Sequence, residues 1–98
     1  MNGMDQLMTL ANKQFEPNAA APLDGIRVLD MSRLVSGNML TMQLADFGAE
    51  VIKIERPGHG DDLRNWRVAG HSVHFKQYCR NKKSLTLDPR GDEGRKIL

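Results

Sequence analysis

The stretch Pro22 to Pro57, PLDGIRVLDMSRLVSGNMLTMQLADFGAEVIKIERP, holds two short apolar runs with a helical pattern between them. Ile26 to Asp30 reads as a strand, with Ile26 and Val28 on one side and Leu29 on the other. Glu50 to Ile54 reads as a second strand. Between them, Met39 to Phe47 places Leu40, Leu44 and Phe47 at i, i+4 and i+7, the stripe of a core-facing helix. Gly48 stands where the end of that helix needs a left-handed residue. Ser32 to Asn38 is then the loop leading in. A connection this short has room for one helix, so the strands are expected to be parallel, with a right-handed crossover. The result is a βαβ unit, the half-module with which many α/β enzymes hold nucleotide-like ligands.

The rest of the chain extends that unit. Arg56 to Ser72 reads as a long loop, punctuated by Pro57, Gly58, Gly60 and Gly70. Val73 to Arg80 can form a helical turn. Ser84 to Asp88 (SLTLD) is a third strand, stopped by Pro89. Gly91 to Leu98 begins a helix with Asp92 as N-cap. Residues 1–21 are rich in Met, Asn and Ala and read as a tail, with a short helix over Asp5 to Lys13. The expected fold class is α/β: a partial Rossmann-like parallel sheet over residues 22–98. A chain that short buries only about 60–65% of the surface it exposes when unfolded. The expectation is the N-terminal part of a larger domain, prone to aggregate when alone.

Composition narrows the function classes. The net charge of +2 conceals an asymmetry: residues 1–52 carry −3 and residues 53–98 carry +5. A basic half suits an anionic partner. A single cysteine, Cys79, excludes an internal disulfide and fits a reducing compartment. No apolar run approaches the roughly 18 residues of a membrane span. No secretory signal or arginine-rich transit pattern opens the chain, so the expected location is cytoplasmic, without membrane contact.

Several residues could carry chemistry. The loop after the first strand lies where doubly wound sheets bind ligands, but it lacks a G-x-G-x-x-G pattern, so it is either a ligand loop or a plain turn. Arg56 follows the second strand directly. A guanidinium at that edge can grip a phosphate bidentately, or it can simply pair with Glu55 or Asp61. His59, His71 and His74 do not form a metal set, and Cys79 reads as a partly buried thiol without a base. Arg80, Lys82 and Lys83 form a basic cluster, ordinarily a solvated face. Aromatic residues for base stacking are sparse beside it, so nucleic acid is not the expected partner. No nucleophile–base–orienter set is visible.

At these residues the chain resembles the N-terminal segment of the family III CoA-transferases, which include formyl-CoA and carnitine CoA-transferases. The resemblance rests on PLDGIRVLD (Pro22 to Asp30), the loop from Ser32 to Gly37, LADFGAEVIKIERPGHGDDLR (Leu44 to Arg64) and NKKSLTLD (Asn81 to Asp88), in the family's order and spacing. It implies transfer of coenzyme A between carboxylic acids, with acyl-CoA as substrate and no prosthetic group. It implies a Rossmann-like large domain, a smaller second domain and an interlocked homodimer. It also implies an aspartate nucleophile that passes through an aspartyl-CoA thioester. The resemblance puts that aspartate beyond the span matched here, at none of Asp30, Asp46, Asp61, Asp62 or Asp88.

The CoA-site positions that the resemblance carries over are Leu34, Val35 and Ser36 in the loop, Arg56, the Asn81-Lys82 pair, Leu87 and Arg90. Arg90 stands where some relatives have lysine. Two features depart from the family pattern. The loop continues Gly37-Asn38 rather than Gly-Pro, and Val35 stands where formyl-CoA transferase has glutamine, which leaves the acyl substrate open. The expectation is the CoA-site portion of a transferase, inactive as 98 residues. The competing readings are an inert remnant and a small module that binds anions or nucleic acid.

Overall fold

The computed structural model describes residues 14–98; the expected helix over Asp5 to Lys13 lies outside them. The element order is β1 (Arg27–Asp30), α1 (Ser36–Asp46), β2 (Glu50–Glu55), a 3-10 turn (Asp62–Asn65), α2 (Val73–Tyr78), β3 (Lys82–Thr86) and α3 (Asp92–Ile97). The three strands form one sheet in the order β1-β2-β3. Both pairings are parallel: Val28 lies beside Val51, and Val51 beside Lys82. The α/β class and the βαβ unit are therefore as the sequence indicates. Gly48 takes φ +105° just past α1, a conformation that glycine adopts without steric cost.

Helix α1 packs on β1 and β2, and α2 packs against α1 and the 3-10 turn. Beneath α1 lies a small apolar core of Ala45, Ala49 and Val51, with Leu23, Val28 and Leu44 packed against it. Three expectations are corrected here. First, α1 begins at Ser36, not Met39, so the loop shortens to residues 31–35. Gly37 permits this, since a Cβ there would lie 2.2 Å from the Ser32 Cβ. Second, the stripe Leu40–Leu44–Phe47 reaches the core only at Leu44. Leu40 is 59% exposed and Phe47 56%, and the inward face is Asn38, Thr41 and Ala45. Those short, mostly polar side chains turn inward because the sheet beneath offers charged groups for them to bond. Third, β3 starts two residues early, at Lys82 rather than Ser84, because Lys82 is drawn into that same polar layer. At the other end Leu87 still donates its amide to the Glu55 carbonyl at 3.0 Å. A smaller correction concerns α3, where Gly91 rather than Asp92 occupies the N-cap position.

Candidate functional site: a cationic cleft on a buried ion cluster

The carboxyl ends of β1, β2 and β3 release three loops on the same edge of the sheet. Residues from all three line a cleft of about 410 Å³. Arg33 comes from the first loop, Arg56 and His59 from the second, and Leu87 and Arg90 from the third. Arg33, Arg56 and Arg90 are exposed, and among the described residues none of the three makes an ion pair. Of the three acids in the lining, Glu55 and Asp61 are already ion-paired, and Asp88 accepts the Arg90 amide at 3.0 Å. Glu55 takes a two-pronged bond from Arg64, Nε to Oε1 at 2.8 Å and the second prong to Oε2 at 2.7 Å, and also accepts the Ser84 hydroxyl. The Arg64 hydrogen bond outweighs the cost of burial and lowers the Glu55 carboxyl to about 2. Arg64 is itself held 3.9 Å above the Phe75 ring. The cleft therefore presents three arginines outside any ion pair among the described residues, with Asp88 the one lining carboxylate not already ion-paired, at the place where parallel sheets bind anionic ligands.

Behind the cleft sits a cluster of fully buried charges. Lys53 Nζ lies 2.6 Å from Asp61 Oδ2, and Lys82 Nζ lies 3.0 Å from Asp30 Oδ2, with each side chain at most 1% exposed. Asn38 joins the two pairs. Its Oδ1 accepts from Lys53 at 2.8 Å and from Lys82 at 3.0 Å, and its Nδ2 donates to Asp61 Oδ2 at 2.7 Å. Ser32 and Thr41 hydroxyls complete the shell of Asp30, at 2.5 and 2.6 Å. Among the described residues no buried side-chain nitrogen or oxygen lacks a partner. Buried ions persist only with this degree of satisfaction. Burial pushes the carboxyls of Asp30 and Asp61 up, but the hydrogen bonds outweigh it: Asp30 ends below the ordinary carboxylate range and Asp61 at about 2. Cys79 touches the cluster's edge, its Sγ donating to Asn38 Oδ1 at 3.6 Å, and burial pushes its thiol pKa up.

The residues marked in the sequence divide between these two layers. Arg56, Leu87 and Arg90 come together in the cleft. Leu34, Val35 and Ser36 are not in its lining; they form the turn that follows Arg33: Leu34 has φ +63°, Val35 caps α1 by accepting the Met39 amide at 2.8 Å, and Ser36 is the first helical residue. Lys82 belongs to the buried cluster. Asn81 lies at the other end of β3, donating to Asp46 beside the Arg80–Asp46 pair. Sequence reasoning missed Arg33, Lys53, Asn38 and Asp61. Arg33 had a positional signal, being one residue from the marked loop. Among the described residues no group of His, Cys, Asp and Glu is arranged to hold a metal ion, and no helix is long and apolar enough to cross a membrane.

Residues 23–98 match CoA-transferase family III. The chain belongs to this family. It is 43% identical to human succinyl-CoA:glutarate CoA-transferase, over 87% of this chain and 20% of that protein. It is 45% identical to succinyl-CoA–D-citramalate CoA-transferase of Chloroflexus aurantiacus and 44% identical to formyl-CoA:oxalate CoA-transferase of Rhodopseudomonas palustris, over 79% and 78% of this chain. Among solved structures, a hypothetical protein of Mycobacterium tuberculosis superposes with a TM-score of 0.75 at 40% identity, over 82% of this chain and 22% of that one. A CaiB/BaiF family protein of Brucella suis gives 0.73 at 38%, over 81% and 22%. The chain spans about a fifth of the length of the relatives it matches.

Proposed function

We propose that the cleft binds the phosphate-bearing part of an acyl-CoA, and that this chain supplies the CoA-holding portion of an enzyme that moves coenzyme A between an acyl-CoA and a carboxylic acid. One observation carries the reading: Arg33, Arg56 and Arg90 converge on one cleft, and among the described residues none of them is ion-paired. Arginine is the side chain best suited to grip phosphate oxygens in pairs. Leu87 gives the cleft an apolar wall for the adenine, and the turn at Leu34, Val35 and Ser36 borders the thioester end. Asn81 and Lys82 act less directly, holding β3 and α1 together. The three relatives named above each pair an acyl-CoA with a carboxylic acid, which favours the same class here.

The chain's own aspartates do not serve as the transferring nucleophile in this reading. Asp30 and Asp61 are buried and ion-paired, and Asp46 is bound by Arg80. The 98-residue chain is expected to bind CoA weakly and to transfer nothing. Residues 22–98 are read as the N-terminal part of the family domain, residues 1–21 as a tail, the assembly as an interlocked homodimer and the location as cytoplasmic. Isothermal titration tests the binding step. The expected result is saturable CoA binding that weakens when 3′-dephospho-CoA replaces CoA, and no comparable affinity for single-stranded DNA. Salt-sensitive DNA binding with no response to CoA would favour the nucleic-acid module instead.

A further inference from the structure

The turn between β1 and α1 contains a disfavoured conformation with a visible cause. Leu34 sits at φ +63°, in the left-handed region where a Cβ crowds the backbone. Two hydrogen bonds hold it there. Its amide donates to Asp61 Oδ1 at 3.1 Å, and its carbonyl accepts from Asn38 Nδ2 at 2.5 Å. Asp61 is itself fixed from several directions. Its Oδ1 also accepts the Leu63 amide at 2.9 Å, its Oδ2 meets Lys53 and Asn38, and its own amide donates to Glu55 Oε1 at 2.8 Å. Asp61 belongs to the loop that follows β2, whereas Leu34 belongs to the loop that follows β1. One buried carboxylate thus ties together two of the three loops that line the cleft. Arg33 is the neighbour of Leu34, so any change in the Leu34 turn swings that arginine.

We propose that Asp61 is a positioning residue for the anion cleft: by accepting the Leu34 amide it holds the β1–α1 loop in its left-handed turn and keeps Arg33 in the cleft lining that Arg56 shares. It touches no ligand itself. The choice of coenzyme A as probe rests on the reading given under the proposed function; the hold on the loop does not.

Replacing Asp61 alone strands the buried charge of Lys53 and endangers folding. The informative comparison is between Lys53→Met/Asp61→Asn and Lys53→Met/Asp61→Leu. Both remove the Lys53–Asp61 ion pair, and only the first keeps an oxygen facing the Leu34 amide. Amide hydrogen exchange at Leu34, followed by NMR without ligand, is expected to be about tenfold faster in the second variant than in the first. Equal exchange overturns the proposal. CoA affinity is expected to fall about tenfold from the first variant to the second, and adding Leu34→Gly to the second to recover most of that loss, because glycine takes positive φ without a holding bond. A loss of affinity that Leu34→Gly leaves untouched also overturns it, since a merely structural lesion would behave that way. If the unsubstituted chain binds no CoA, the CoA reading falls and the exchange comparison alone decides the positioning role. One check needs no variant. As pH is lowered from 5, the Leu34 amide proton shift is expected to follow protonation of Asp61; a flat Leu34 shift while the Asp61 carboxyl titrates contradicts the proposal.

Discussion

The two faces of the sheet invert the usual arrangement. The face under α1 carries Asp30, Lys53, Glu55 and Lys82, yet it is the buried one, with Asp30 and Lys53 each 1% exposed. Strand alternation puts Leu29, Ile52 and Leu85 on the opposite face, where Leu29 is 51% and Leu85 41% exposed, beside the surface pairs Arg27–Glu50 and Lys83–Glu50. A parallel sheet is ordinarily apolar and covered on both faces. Here the covered face adds matched charges to Val28 and Val51, and on the opposite face Leu29 and Leu85 are open while Ile54 is buried. The lesson is that ion pairing, more than aliphatic packing, sets how α1 and the cleft loops sit on this sheet.

The sharpest way to break that contrast is to strand one charge. Lys53→Met alone leaves Asp61 buried without its cation and is expected to cost about 3–5 kcal/mol in urea unfolding. Removing both ions together, in Lys53→Met/Asp61→Leu, is expected to cost much less than the single change; an equal or larger cost would show that the pair itself stabilises the fold. Next in size is Asn38→Ala. It removes the bridge between the two ion pairs and is expected to cost about 2–3 kcal/mol. Leu40→Ala, two residues along on the outward face, should cost under about 1 kcal/mol. Reversal of that order would restore the aliphatic stripe as the core-facing one.

Acid sharpens the contrast by a smaller amount. Glu55 and Asp61 both have carboxyls lowered to about 2 in the folded chain. A lowered folded pKa contributes stability above the unfolded value, and that stability is lost as pH falls through the folded value. Chemical unfolding should therefore be flat from pH 7 to about 5 and weaken between about pH 4 and 2, by about 3 kcal/mol per carboxylate at most. Stability that declines already between pH 7 and 5 would point to other groups. The smallest effect belongs to the open face. Leu29→Lys with Leu85→Lys should change stability by no more than about 0.5 kcal/mol each while reducing self-association in sedimentation velocity. Unchanged association would mean that this face does not mediate contacts between chains.

The sequence was legible where structure follows from local periodicity. The apolar runs of β1 and β2, the turn at Gly48 and the placement of Arg56 just past β2 are all properties of neighbouring residues. What was not legible depends on partners far apart in the chain. Lys82 reads as a solvated lysine until it meets Asp30, fifty-two positions earlier. Asn38 reads as the end of a loop and Thr41 as a residue off the apolar stripe, because periodicity weighs each side chain by its own polarity. The ions they face are brought beneath them only by the sheet. The register of β3 failed for the same reason: alternation in SLTLD favours the leucines, while the long-range bond of Lys82 starts the strand earlier. The cleft was half legible. Arg56, Leu87 and Arg90 were marked, but Arg33 and the supporting Asp61 were not, because their roles arise from loops that meet only in the folded chain.

The most direct test of the whole account is a CoA titration of the isotopically labelled 98-residue chain, followed residue by residue through its amide NMR signals. The account predicts shifts concentrated in residues 31–36, 56–61 and 87–91, with the signals of Leu29, Ile52 and Leu85 nearly still. Shifts centred on the open apolar face, or no saturable response anywhere, would contradict it.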